Sequence, residues 1–93
     1  MEHPTEREWR EAKERYPVGA ILTVLVESIV PFGIFVRLPE VLAPGVLKAP
    51  AFPSRSAFER RADDHPIGSS VSVRVLGFAE GRLQLDLELA EPR

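Results

Sequence analysis

The sequence predicts a mainly β fold, in which one helix precedes a small closed barrel of five strands and a short helix lies between strands 3 and 4. Five short stretches alternate apolar with polar residues, a period typical of strands with one buried face. A charged segment with helical spacing precedes them, and a proline-rich connection divides the third stretch from the fourth. A chain of 93 residues has the size of one small domain. We therefore expect a single domain over residues 1–93, with the helix at 5–16 and the barrel at 18–90.

The N-terminal segment carries the signals of a helix. Thr5 and Glu8 have the spacing of a capping box, in which each side chain accepts a hydrogen bond from the other residue's backbone N–H. Trp9 and Tyr16 lie two turns apart on a narrow apolar stripe, and Pro17 ends the helix. Because a helix with so little apolar surface is unstable alone, we expect Trp9 and Tyr16 to dock on the barrel.

The first three strands follow the helix directly. Residues Ala20–Val30 are rich in β-branched side chains, which favour strands. The next run alternates apolar residues at Ile34, Val36 and Leu38. A turn is expected at Pro31–Gly33, since proline and glycine depart from regular strand geometry. Further proline and glycine residues leave a short third strand at Gly45–Lys48.

The rest of the chain is a connection followed by a hairpin. Residues Ala49–Pro66 are mostly connection, and Ser56–Glu59 is a second candidate capping box, which predicts one or two helical turns ending near Ala62. Two alternating runs then flank a turn at Glu80–Gly81 and predict strands 4 and 5. Their apolar residues are Val71, Val73, Val75, Leu83, Leu85, Leu87 and Leu89.

This order of elements suits a five-stranded OB-fold barrel, which closes short strands with alternating faces around one core. An open sheet with the helix on one face is the alternative. It is less economical, because one charged helix with a narrow apolar stripe would cover a five-stranded sheet poorly.

Composition limits the classes of function. The net charge is -2, from 12 basic and 14 acidic residues, so no global basic field attracts a polyanion and nucleic-acid binding would have to be local. The chain has no cysteine, which excludes disulfides and thiolate metal sites. No window approaches the ~18 apolar residues of a membrane span. A cytoplasmic location is the expectation.

Five local strings resemble the S-one RNA-binding domain, the OB module repeated in the largest protein of the small ribosomal subunit. The second of them is similar to the family's run V-x-x-I-x-x-F-G-x-F-V-x-L. The strings lie at Tyr16–Gly19, Val26–Leu38, Gly45–Leu47, Ile67–Leu76 and Gly81–Leu85. The resemblance implies an OB fold that binds single-stranded RNA.

The resemblance also implies which residues would bind. Family members use the two phenylalanines of F-G-x-F, a histidine on the third strand, and an acidic and a basic residue in the last turn. Phe32 and Phe35 match the phenylalanines, and Arg82 matches the basic residue. Lys48 stands where the histidine is expected, and Ala79 stands near the position of the acidic residue.

Strand parity gives an independent reason to single out the phenylalanines. If the apolar residues of the second strand face inward, Phe35 and Arg37 face outward, with Phe32 at the adjacent turn. An exposed ring beside a cation is what a base-stacking platform requires. The alternative is that both rings cover the barrel beneath the helix or the connection, and that the cations are ordinary solvated side chains. The predicted RNA-binding residues are Phe32, Phe35, Arg37, Lys48, Arg74 and Arg82.

Catalysis, metal binding and cofactor binding have little support. The chain has two histidines, His3 and His65, and no nucleophile with a nearby base can be assembled from the sequence. Asp63–His65 is a short polar cluster without a partner set, and such a run is more often a helix end than a metal site. No glycine-rich phosphate cradle occurs. We expect neither an enzyme nor a bound cofactor.

Two functional hypotheses follow. The first is a module that binds single-stranded RNA weakly by stacking on Phe32 and Phe35, with a ribosome or an RNA-processing protein as partner. The second keeps the fold and replaces RNA by a protein partner of the aromatic patch and the last strand. Asp86 and Glu88 favour the second hypothesis, because carboxylates near the path would repel phosphates.

Overall fold

A computed structural model describes residues 4–48, 52 and 54–90. Its strands hydrogen-bond in the order β1-β2-β3-β5-β4 and close into a barrel, which confirms the predicted fold and excludes the open sheet. The elements in chain order are α1 (Glu6–Arg15), β1 (Ile21–Val30), β2 (Gly33–Arg37), β3 (Pro44–Lys48), α2 (Arg55–Glu59), α3 (Arg61–Asp64), β4 (Ser70–Ala79) and β5 (Gln84–Leu89).

The register of the strands separates a buried interior from an outer surface. All neighbouring strands are antiparallel except β3 and β5, which are parallel. Alternate residues of each strand point inward, as the sequence pattern predicts. The strand residues that line the buried core are Leu22, Val24, Val26, Ile34, Val36, Leu47, Val73, Val75, Leu85 and Leu87.

Two β-bulges and one buried glycine accompany the closure of this small barrel. The register shifts between Val26 and Ser28 in β1 and between Val75 and Gly77 in β4, and such bulges bend long strands. At Gly45 a Cβ atom would lie 2.6 Å from Leu87 Cδ1, so the tight interior leaves no room for a side chain there.

Helix α1 docks on the barrel through its apolar stripe, as predicted. The capping box forms between Thr5 and Glu8. Trp9 is buried, its ring meets Phe78 edge-on at 6.0 Å, and the Tyr16 hydroxyl donates a 2.8 Å hydrogen bond to the Pro39 carbonyl. Tertiary packing therefore stabilises a helix whose own stripe is narrow.

The connection between β3 and β4 differs from its prediction. Ser54, and not Ser56, caps the first helical turn, because its hydroxyl accepts a hydrogen bond from the Ala57 backbone N–H. A further turn, α3, continues past Ala62 to Asp64. None of the helices in the described ranges is long and apolar enough to cross a membrane.

Candidate functional site

Phe32 and Phe35 lie side by side at the start of β2. Phe32 is 53% exposed in the turn, whereas Phe35 is half-buried on the outer surface of the strand. Their rings meet edge-on, with centroids 5.9 Å apart and planes at 87°. This contact fixes the two rings relative to each other and is worth about 0.5–1.5 kcal/mol beyond burial. Neither ring belongs to the buried core.

Gly33 holds this turn close to the neighbouring strand. It pairs with Lys48 of β3, and a Cβ atom there would collide with the Leu47 carbonyl oxygen. The absence of a side chain lets the backbone between the two rings approach β3. Gly33 is therefore buried, although parity places it on the outer side with Phe35.

Arg61 supports the same turn from outside the strand. Its Nε and Nη2 atoms donate to the Val30 carbonyl at 3.2 and 2.9 Å, and Nη1 donates to the Phe58 carbonyl at 2.9 Å. The guanidinium also lies 4.2 Å from the centroid of the Phe58 ring. The end of β1 is thus tied to α3 two residues before Phe32. The sequence gives no sign of this role, because Val30 is 31 residues away.

Outward positions of neighbouring strands adjoin the two rings, with the fully buried Val46 among them. Gly33 is level with Lys48, and Phe35 is level with Val46 and, across β3, with Asp86. Glu88 follows two residues later on β5 and pairs in register with Arg74 of β4. We refer to this surface as the platform face, defined by Phe32, Phe35, Lys48, Arg74, Asp86 and Glu88.

Every charge on the platform face has an opposite partner. Lys48 Nζ lies 3.6 Å from Asp86 Oδ1, and Arg74 Nη1 lies 2.7 Å from Glu88 Oε2. All four side chains keep between 31% and 44% of their exposure, so each pair is worth roughly 0–1 kcal/mol. The two carboxylates thus neutralise two of the cations predicted to bind phosphates.

Arg37 and Arg82 lie outside the platform face. Arg37 is at the far end of β2 and donates a 2.9 Å hydrogen bond to Glu27. Arg82 is exposed in the β4–β5 turn, two residues before β5 begins. Its guanidinium makes no ion pair within the part of the chain that the structure describes. The structure places Lys48 and Arg74 on the platform face, Arg37 two residues beyond Phe35 on the same side of β2, and Arg82 in the β4–β5 turn.

The acidic residue of the β4–β5 turn faces the helix. Glu80 accepts hydrogen bonds from Trp9 Nε1 at 2.8 Å and from Lys13 Nζ at 2.9 Å. The hydrogen bond from Trp9 has the largest effect and lowers the pKa of Glu80, and the hydrogen bond from Lys13 lowers it further. A carboxylate held in this way fastens α1 to the turn that also carries Arg82.

The fold and this surface together define a five-stranded OB-type barrel with an aromatic and charge-paired outer face. Neither a family model nor a curated protein sequence matches the chain. Solved structures match it at low identity. GSP13 from Bacillus subtilis is 24% identical with a TM-score of 0.66, and the match covers 84% of this chain and 62% of GSP13.

Two other similar structures contain RNA. A chain of the a/eIF2alpha–aDim2p–rRNA complex from Pyrococcus horikoshii is 23% identical, with a TM-score of 0.64 over 80% of this chain and 45% of that chain. RNase R of Mycoplasma genitalium, in complex with ribose methylated single-stranded RNA, is 17% identical, with a TM-score of 0.67 over 88% of this chain and 14% of that chain. The chain spans less than two thirds of each of these three proteins. They share its fold, which is the fold that the resemblance to the S-one domain implies.

Proposed function

We propose that this chain is a binding module for single-stranded RNA, in which bases stack on Phe32 and Phe35. The edge-on pair of an exposed ring, Phe32, and a half-buried ring, Phe35, on the platform face is the observation that carries the proposal. Rings with accessible faces accept any base, and each stack contributes about 1–3 kcal/mol. Two rings can therefore hold a short strand without a strongly basic surface.

The charges of the platform face indicate weak binding. Lys48 is paired with Asp86, and Arg74 is paired with Glu88. Each cation must break its ion pair before it binds a phosphate, which lowers the net free energy that it contributes to RNA binding. Arg82 has no such partner among the described residues and is expected to make the strongest phosphate contact. A strand of RNA bound at the two rings would have to run along β5 to reach Arg82, which lies in the turn two residues before that strand.

The similar structures are consistent with this proposal, since two of them are complexes that contain RNA. A module of this kind would bring RNA to a ribosome or to an RNA-processing protein. The partner protein would supply both the selectivity for a transcript and any chemistry.

A titration tests the proposal. Fluorescently labelled RNA of about eight nucleotides is titrated at two salt concentrations with the wild type, the Phe32→Ala/Phe35→Ala double variant and Leu42→Ala. Leu42 is 68% exposed and lies outside the platform face, so its variant controls for the loss of exposed apolar surface. We expect the double variant alone to lose binding. Absence of binding by the wild type at low salt, or full binding by the double variant, would refute stacking.

One observation favours a second function. Because the cations of the platform face are already paired, the same rings could bind an apolar side chain of a partner protein instead of a base. A wild-type protein that binds no RNA at low salt, but whose double variant loses a protein partner recovered by crosslinking, would support this alternative.

A further inference from the structure

We propose that Asp86 gives the platform face a preference for guanine among the bases that stack on it. This inference rests on the proposed RNA binding and adds a base preference to it. It depends on where Asp86 lies, on the hydrogen bonds that its carboxylate lacks, and on the donor pattern of the four bases.

Asp86 lies across one strand from the half-buried ring. Phe35 pairs with Val46, and Val46 pairs with Asp86, so the two outward side chains stand two strand spacings, or about 10 Å, apart at the same level of the barrel. Val46, which lies between them, is fully buried, so a base stacked over Phe35 with its edge directed at β5 passes above the atoms that cover this valine. The carboxylate of Asp86 is the polar group that this edge meets on the platform face.

The carboxylate has unused capacity to accept hydrogen bonds. Oδ1 is buried and accepts no hydrogen bond from the described residues, and Lys48 Nζ, at 3.6 Å, is beyond hydrogen-bond distance. A buried oxygen without a donor is unfavourable, so a ligand that supplies one gains free energy. The side chain as a whole keeps 31% exposure, and the broad terminal torsion of aspartate allows both oxygens to turn toward a ligand.

Guanine fits a carboxylate better than any other base. An ionised carboxylate only accepts hydrogen bonds, and guanine presents two adjacent donors, N1–H and the N2 amino group, on its Watson–Crick edge. Adenine and cytosine each place an acceptor beside their amino group, and uracil flanks its single N–H with two carbonyl oxygens. These acceptors would face the negative charge of Asp86. Lys48 would then be released toward the RNA backbone.

The test uses the full chain and a labelled octamer of uridine, in which one central position is uridine, adenosine, cytidine, guanosine or inosine. A single guanosine avoids the self-association of guanine tracts. Inosine lacks the N2 amino group, so it removes one of the two donors without any change in the protein. Each octamer is titrated with the wild type, with Asp86→Asn and with Glu88→Gln as the matched control. Asparagine keeps the shape of the side chain but places a donor against guanine.

We expect the wild type to bind the guanosine octamer about tenfold more tightly than the uridine octamer, and the inosine octamer to lie between them. Asp86→Asn should lose this ratio, and Glu88→Gln should keep it. Equal affinity of the wild type for all five octamers, or a ratio that Asp86→Asn retains, would overturn the guanine preference while leaving RNA binding intact. No binding to any octamer would instead refute RNA binding itself, and the preference with it.

Discussion

Arg74 and Glu88 face each other across β4 and β5, with Nη1 of the arginine 2.7 Å from Oε2 of the glutamate. Carboxylates on the last strand were expected to repel phosphates, and the structure shows a more specific effect. Glu88 forms an ion pair with Arg74, one of the cations through which we propose that the protein binds RNA. The platform face is thus close to neutral because its charges are paired.

Removal of the Glu88 charge should therefore strengthen RNA binding. We expect Glu88→Gln to tighten binding severalfold at low salt and to steepen the dependence of log K on log salt by about 0.7, the value for one more phosphate contact on a single strand. Loss of the cross-strand pair should lower the free energy of unfolding by less than about 1 kcal/mol. Titrations at four salt concentrations measure the slope.

The matched control for this prediction is Glu14→Gln, which makes the same change in net charge at an exposed position of α1. An equal gain in affinity in both variants would show that only the overall charge matters and that the pairing of Arg74 does not.

Arg61 should position the turn that carries Phe32. Its contacts with the Val30 carbonyl and the Phe58 ring are lost in Arg61→Met, which we expect to lower the free energy of unfolding by about 1–3 kcal/mol. RNA affinity should fall as well, because the rings are held less firmly. Urea denaturation and the octamer titration give the two values.

The control is Arg55→Met, since Arg55 is 91% exposed and pairs only with Glu59 one turn away among the described residues. Its stability should change by less than about 0.5 kcal/mol. If Arg61→Met were equally mild, the carbonyl contacts would not stabilise the turn.

The sequence predicts the barrel well and the charge pairs poorly, for a physical reason. Alternation along a strand is local, so the inward residues and the exposure of Phe32 follow from neighbouring positions. The pair of Lys48 with Asp86 instead depends on β3 and β5 lying parallel, and the hydrogen bond from Trp9 to Glu80 joins residues 71 positions apart. Neither contact leaves a local pattern.

Gly33 should tolerate no side chain. In Gly33→Ala the new methyl group meets the Leu47 carbonyl, a backbone atom that cannot move without disturbing the pairing of β2 with β3. We expect a loss of about 1–3 kcal/mol in the free energy of unfolding. Gly81→Ala is the control, because nothing lies within 4 Å of its added Cβ atom. Equal stability of the two variants in thermal and urea denaturation would contradict the close approach at Gly33.

Glu80 should make stability depend on pH in the acidic range. Since the hydrogen bonds from Trp9 and Lys13 lower the pKa of Glu80 in the folded state below its ordinary value of 4.5, folding favours the ionised form. The stabilisation is complete above pH 4.5 and is lost as the pH falls through the lower folded-state pKa. Glu80→Gln should be less stable than the wild type at neutral pH, and the two should converge in acid.

Circular dichroism during urea denaturation at several pH values measures this convergence. Trp9→Phe keeps an aromatic ring against Phe78 but removes the indole donor, so it should show a smaller difference between neutral and acidic pH than the wild type. A constant gap between Glu80→Gln and the wild type across the acidic range would show that the hydrogen bond from Trp9 does not favour the carboxylate.

Arg82 should contribute more to RNA binding than its position outside the platform face suggests. Because it has no carboxylate partner among the described residues, it binds a phosphate without first breaking an ion pair. We expect Arg82→Ala to weaken RNA binding severalfold and to reduce the salt slope by about 0.7, whereas Arg55→Ala, with the same change in net charge, should leave both values unchanged. Salt-dependent titrations compare the two variants directly. Equal losses in both would assign the effect to net charge and would remove Arg82 from the RNA path.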